Sequence, residues 1–104
     1  MKIIMAPRGR GKTTELIKIS NKEWKYIVCV NAQRVDNVAK MAQEMGLAIP
    51  YPITVRELPM SRGSFIESVL IDDIEDVLFQ LIGKPVDCVT ALSCEIVSPK
   101  GGSK

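Results

Sequence analysis

Eight consecutive residues, Ala6-Pro7-Arg8-Gly9-Arg10-Gly11-Lys12-Thr13, place two glycines, three cations and a hydroxyl between an apolar start and an apolar continuation. That combination suits the capture of an anion. Gly9 and Gly11 permit the dihedrals and the close approach by which successive backbone N–H groups turn inward around a phosphate. A helix starting near Lys12 aims its unpaired N–H groups and positive dipole end at the same anion. The Lys12 ammonium then reaches the outer phosphates of a nucleotide, with the Thr13 hydroxyl placed to bind Mg²⁺ and Thr14 beside it. Arg8 and Arg10 strengthen the local field or meet a partner; solvated loop charge explains them equally well.

A second run carries complementary chemistry: Val69-Leu70-Ile71-Asp72-Asp73, apolar residues ending in paired acids. Asp72 and Asp73 close the apolar run with two carboxylates at what would be the carboxyl edge of a sheet. Either acid also makes a good cap for a helix starting at Ile74. The chain has no histidine, which removes imidazole acid–base chemistry and His-containing metal sites. Its three cysteines, Cys29, Cys88 and Cys94, are not spaced as a zinc pair. All lie in or beside apolar runs, so they are expected as buried thiols in a reducing, cytoplasmic setting.

The elements that must position these residues follow from periodicity. Lys2 to Met5 is expected as a strand buried on both faces, and Lys12 to Ser20 as a helix with Leu16, Ile17 and Ser20 facing inward. Trp24 to Val30 reads as the next strand. Val35, Val38, Ala39, Ala42 and Met45 fall at helical spacing, closed by Gly46. A brief strand is expected around Ile53, then a short helix from Val55 to Met60, announced by Thr54 and Glu57 at capping-box spacing. After a turn at residues 61–64, Phe65 to Ile71 reads as a strand. Ile74, Val77, Leu78, Leu81 and Ile82 share one helical face, with Gly83 and Pro85 ending it. Val86 to Leu92 is expected as a further buried strand, Glu95 to Val97 as a short last one. The domain therefore spans 1–97, followed by a polar, flexible tail over 98–104.

Apolar strands alternating with amphipathic helices imply an α/β domain, three layers deep, with a mainly parallel sheet of about five strands. Ligands of such sheets bind beyond the carboxyl ends of the strands, where Met5, Asn31, Asp72 and Leu92 or Ser93 fall.

Residues 6–13 fit the phosphate-binding pattern [A/G]-x-x-x-x-G-K-[S/T], and 69–73 resembles the acidic motif that accompanies it, so the chain resembles the P-loop NTPase superfamily. Within it, the chain is similar to the RecA- and helicase-like division, in which the position of Asp73 is usually a glutamate. The resemblance implies ATP as substrate or ligand, Mg²⁺ as cofactor, residues Ala6 to Thr14 around the nucleotide, and Thr13 with Asp72 on the metal. It gives Lys12 and Asp73 the catalytic parts, Asp73 acting on the attacking water, for which a base must come within ~3 Å of the proton it takes. Thr90 and Ser93 are candidates for a polar sensor, equally well read as ordinary strand or turn residues. Arg56 and Arg62 are candidates for an arginine finger, better explained as solvated surface charge. The shorter Asp73 implies slow hydrolysis. The stretch Leu58 to Asp73, with Arg62-Gly63 shortly before the acidic pair, resembles helicase and DNA-packaging ATPases, and small stand-alone cores of this kind are similar to bacteriophage-encoded proteins.

The leading expectation is thus a Mg²⁺-dependent ATP-binding protein and ATPase, completed by a protein partner or by a homo-oligomer. Nucleic acid is an indirect partner at most, because the net charge is only +2. No apolar run approaches the ~18 residues of a membrane span, so no membrane role is expected. Two alternatives stay open. Gly11 to Ile17 resembles the corresponding run of thymidine kinases, pointing to a nucleoside or nucleotide kinase. A non-hydrolysing module, stabilised by nucleotide for a partner, is the other.

Overall fold

The computed structural model describes residues 1–9, 11–61 and 65–99 of this small α/β domain. Its strands are β1 (Lys2–Ile4), β2 (Ile27–Cys29), β3 (Ile53–Thr54), β4 (Leu70–Ile71) and β5 (Glu95–Val97). Its helices are α1 (Lys12–Glu23), α2 (Ala32–Glu44) and α3 (Ile74–Ile82), with a 3₁₀ turn at Val55–Glu57. All strand pairings are parallel, but they form two sheets: β1 with β5, and β3-β2-β4 with β2 in the middle.

The central strand explains the core. Successive side chains of a strand point to opposite faces. Ile27 and Cys29 enter a cluster with Ile17 of α1 and with Val35, Val38 and Ala42 of α2. Val28 enters a second cluster with Val55 and Val77 of α3. Helices thus cover both faces of β2, as its unbroken apolar run requires. The register sets Ile27 beside Leu70 and Val28 beside Ile71, and Asp72 N–H donates to the Val28 carbonyl at 3.0 Å. That bond fixes Asp72 at the carboxyl edge of the sheet.

Helix ends follow local chemistry. Asn31 caps α2 by accepting from Arg34 N–H at 2.8 Å, and Thr54 with Glu57 completes the expected capping box. Helix α1 runs past Ser20, which is buried and donates to the Lys25 carbonyl at 2.7 Å. It stops at Trp24 in the left-handed conformation, φ 56°, so Trp24 belongs to a helix cap and not to the strand expected there.

Several sequence expectations need correction. No strand forms over Val86 to Leu92, which is exposed throughout. A strand needs a neighbouring ladder, and β1 takes β5 as its partner while β4 takes β2. The expected strand over 65–71 shortens to Leu70–Ile71, and the helix expected over 55–60 to the 3₁₀ turn. In β1, Ile3 and Ile4 are only half-buried and Lys2 is exposed. On α3 only Val77 is buried; Ile74, Leu81 and Ile82 are exposed despite their shared face. Cys88 and Cys94 are exposed too, in the stretch that forms no strand until β5. The tail expected from Ser98 begins with an exposed Ser98 and a buried Pro99, and its remainder lies outside the described residues.

Ile17→Ala, at a fully buried position, should therefore lose about 2–5 kcal/mol of unfolding free energy in a urea titration. Leu81→Ala, although on the most regular apolar stripe in the sequence, should lose only about 0.5 kcal/mol, as surface substitutions do.

Candidate functional site

The loop after β1 takes the conformation its glycines allow. Gly9 has φ 78° and Gly11 φ 85°, both in the left-handed region that glycine enters at no steric cost. Gly11 also occupies the N-cap position of α1 and, as a glycine, brings no capping side chain of its own. The first intrahelical bond runs from Glu15 N–H to the Gly11 carbonyl at 3.0 Å. The N–H groups of Lys12, Thr13 and Thr14 precede that bond, at the positive end of a 12-residue helix.

Lys12 folds back over the loop. Its ammonium donates to the carbonyls of Ala6 at 2.7 Å and Pro7 at 3.0 Å, clasping the loop's beginning to its end. Thr13, the next residue, donates its hydroxyl to Asp72 Oδ1 at 3.1 Å, joining positions 59 residues apart. The two sequence motifs therefore meet, and they meet through the two residues expected to share a metal ion. Arg8 is exposed, and Arg10 and Arg62 lie outside the described residues.

Asp72 is only 5% exposed, so its carboxylate needs a counter-charge. Arg34 supplies it, with Nε donating to Asp72 Oδ2 at 2.7 Å and Nη2 to Thr13 Oγ1 at 3.2 Å. The bond to Asp72 raises the Arg34 pKa above its ordinary value, against partial burial, which lowers it. The sequence reading missed Arg34. One signal was present: it sits in the first turn of α2, where the helix dipole disfavours a cation, directly after the carboxyl end of β2.

Asp73 takes the capping role foreseen as its alternative. It is exposed, sits at φ 65°, and its Oδ1 accepts from Asp76 N–H at 3.3 Å at the start of α3. The carboxyl of Asp76 is raised above its ordinary pKa, first by hydrogen bonding to Asp73 and then by Asp73's charge, while Arg8 and Arg34 act in the opposite sense. Thr90 and Ser93 are exposed and lie on no strand, so the expected sensor strand does not reach the site. Arg56 is exposed in the 3₁₀ turn.

Could these residues hold Mg²⁺? Among the described residues no cluster of three or more His, Cys, Asp or Glu forms a metal cage. A hydroxyl beside a carboxylate, next to a helix N-terminus, instead fits a hard cation that completes its shell with phosphate oxygens. An open groove of about 480 Å³, lined by Tyr26, Val35, Asp36, Tyr51 and Glu57 among others, includes none of the loop residues. Its two acids make it unsuited to an anion.

Compared with known proteins, the chain matches no family model, no curated protein and no solved structure. No helix among the described residues is long and apolar enough to cross a membrane.

Under the site lies Cys29, fully buried, its thiol pushed up from 9.0 to about 12, first by burial and then by the Asp72 charge. The unfolded chain loses this proton before the folded one does. Its contribution to stability is therefore complete below pH 9 and is lost as pH rises towards 12. A thiol reagent at neutral pH should label Cys88 and Cys94 at once, and Cys29 only after denaturant is added. Immediate labelling of all three would show that β2 is not sealed.

Proposed function

We propose that the chain binds the phosphates of a nucleoside triphosphate, ATP by its resemblance, together with Mg²⁺. The observation that carries this reading is the 3.1 Å hydrogen bond between Thr13 and Asp72, which joins the glycine-rich loop to the acidic run that the resemblance assigns to the same ligand. The left-handed Gly9 and Gly11, an α1 N-terminus headed by glycine, and Lys12 poised across the loop support it further. Parallel strands, with helices on both faces of β2, support a P-loop NTPase fold of the RecA- and helicase-like type.

In this reading the N–H groups at the start of α1 and the backbone of Gly9 and Gly11 take the phosphates. Lys12 exchanges its two carbonyl partners for phosphate oxygens, which as anions are the stronger acceptors. Thr13 and Asp72 would hold Mg²⁺, which when bound neutralises charge on the outer phosphates. Asp73, adjacent to Asp72, orients a water for slow hydrolysis. A protein partner or a second copy completes the site, in the service of nucleic-acid metabolism or DNA packaging.

A second reading, a nucleotide-binding module without turnover, is favoured by the cap that Asp73 makes on α3, since that carboxylate already has a structural task. A phosphate-release assay separates the two readings: release with ATP supports the enzyme, and stabilisation without release supports the module.

Lys12→Ala should keep the fold and lose the ligand. At a concentration 100-fold above Kd, Mg·ATP stabilises a binding protein by about 2.7 kcal/mol, a thermal shift that the variant should not show. An equal shift in variant and parent would sink the phosphate-loop reading. Asp72→Asn should instead retain Mg²⁺-free binding and lose most of the gain that Mg²⁺ adds. Equal losses with and without the metal would make Asp72 purely structural.

A further inference from the structure

We infer that Arg34 occupies the cation position of the site in the ligand-free chain, so that its guanidinium and a divalent metal exclude one another at Asp72 and Thr13. The inference rests on the nucleotide reading above and adds to it an internal competitor.

The geometry is a closed ring of three side chains from three elements. Thr13 Oγ1 donates to Asp72 Oδ1, Arg34 Nε donates to Asp72 Oδ2, and Arg34 Nη2 donates to Thr13 Oγ1. Both carboxylate oxygens and the hydroxyl are thereby engaged. A threonine hydroxyl has one proton and two lone pairs. Here the proton goes to Asp72 and one lone pair receives Arg34. A metal on the remaining lone pair would sit beside a guanidinium nitrogen only 3.2 Å from that same oxygen, at a distance where like charges repel strongly.

Burial explains why some cation has to be present. Asp72 is 5% exposed, and a carboxylate so enclosed is costly without a positive partner. Arg34 meets that need before any ligand arrives and keeps the end of β4 attached to the start of α1. It is also suited to leave. Its side chain is 40% exposed, so an outward swing unpacks no core residue. It lies at the N-terminal end of α2, where the helix dipole does not hold a cation, so Asp72 is its principal anchor. Binding of the metal is then an exchange of one cation for another, and Arg34 sets its threshold.

The test compares the parent with Arg34→Gln, which keeps a hydrogen-bond donor near Asp72 without the charge. ATP binding is measured by calorimetry in excess MgCl₂ and again in EDTA. Removing the competing charge should tighten binding in MgCl₂ by at least about tenfold, a scale above one like-charge contact in bulk water and below one near a protein surface, with no such tightening in EDTA. Arg34→Lys, which keeps the charge, should bind as the parent does.

Unchanged or weaker Mg·ATP binding by Arg34→Gln would overturn the inference, weaker binding marking Arg34 as a phosphate ligand. Equal tightening in EDTA would overturn it as well. A second measurement needs no variant: in the parent with ¹⁵N-labelled arginine, the Arg34 Nε signal should shift with Mg·ATP and stay in place with ATP in EDTA. A signal that stays in place with Mg·ATP bound overturns the exchange. If the parent binds no ATP under either condition, the nucleotide reading itself fails. If ATP binds and the variant makes no difference, only the role of Arg34 does.

Discussion

A carboxylate that is nearly sealed from water governs this structure. Asp72 ends a two-residue strand, its backbone N–H bonded to Val28 and its side chain bonded to Thr13 and Arg34. Those three partners come from β2, α1 and α2, the elements that build the principal core. Desolvating a carboxylate is expensive, and removing one partner from a buried ion pair typically costs about 3–5 kcal/mol. The elements around Asp72 are thus held in register by its need for compensation, and the same need brings a hydroxyl, an acid and a guanidinium together at one sheet edge.

The core below the site is asymmetric in a way that serves it. Cys29 and Ile27 bind β2 to α1 and α2, while Val28 binds it to the 3₁₀ turn and α3. Because both faces of one short strand are covered, its carboxyl end cannot shift without disturbing two clusters. Asn31 follows at once and caps α2, which presents Arg34 one turn later. The position of Asp72 and the place of Arg34 on α2 are therefore fixed by packing and not by the loop. The loop is held by less: two glycines with positive φ and the Lys12 ammonium on the Ala6 and Pro7 carbonyls. A site of this kind combines a rigid acid with a cradle that can exchange partners, which suits the ligand proposed for it.

The other end of the chain is built differently. From Phe79 through Leu92 to Ile96, large apolar side chains are exposed, and β5 pairs with β1 in a sheet separate from β3-β2-β4. Parallel strands and their covering helices stabilise one another only when the ladder is continuous. With the β1–β5 pair apart, the outer stripe of α3 has no cover among the described residues.

The features legible in the residues alone were local. The positive φ of Gly9 and Gly11, the Asp73 cap, the Thr54–Glu57 box and the burial of Ile17, Val35, Val38 and Ala42 belong here. Each depends on dihedral preference, a hydrogen bond spanning a few residues, or a periodic apolar face. The pairing of Asp72 with Thr13 could be expected only through the resemblance, and its distance came from the fold. Strand partners, the exposure of Val86 to Leu92 and the open face of α3 were decided by tertiary structure, because a strand forms only where a neighbouring ladder exists. Arg34 was decided there as well. An arginine in the first turn of a helix is an ordinary solvated charge until the packing of β2 against β4 sets a buried carboxylate within 2.7 Å of it.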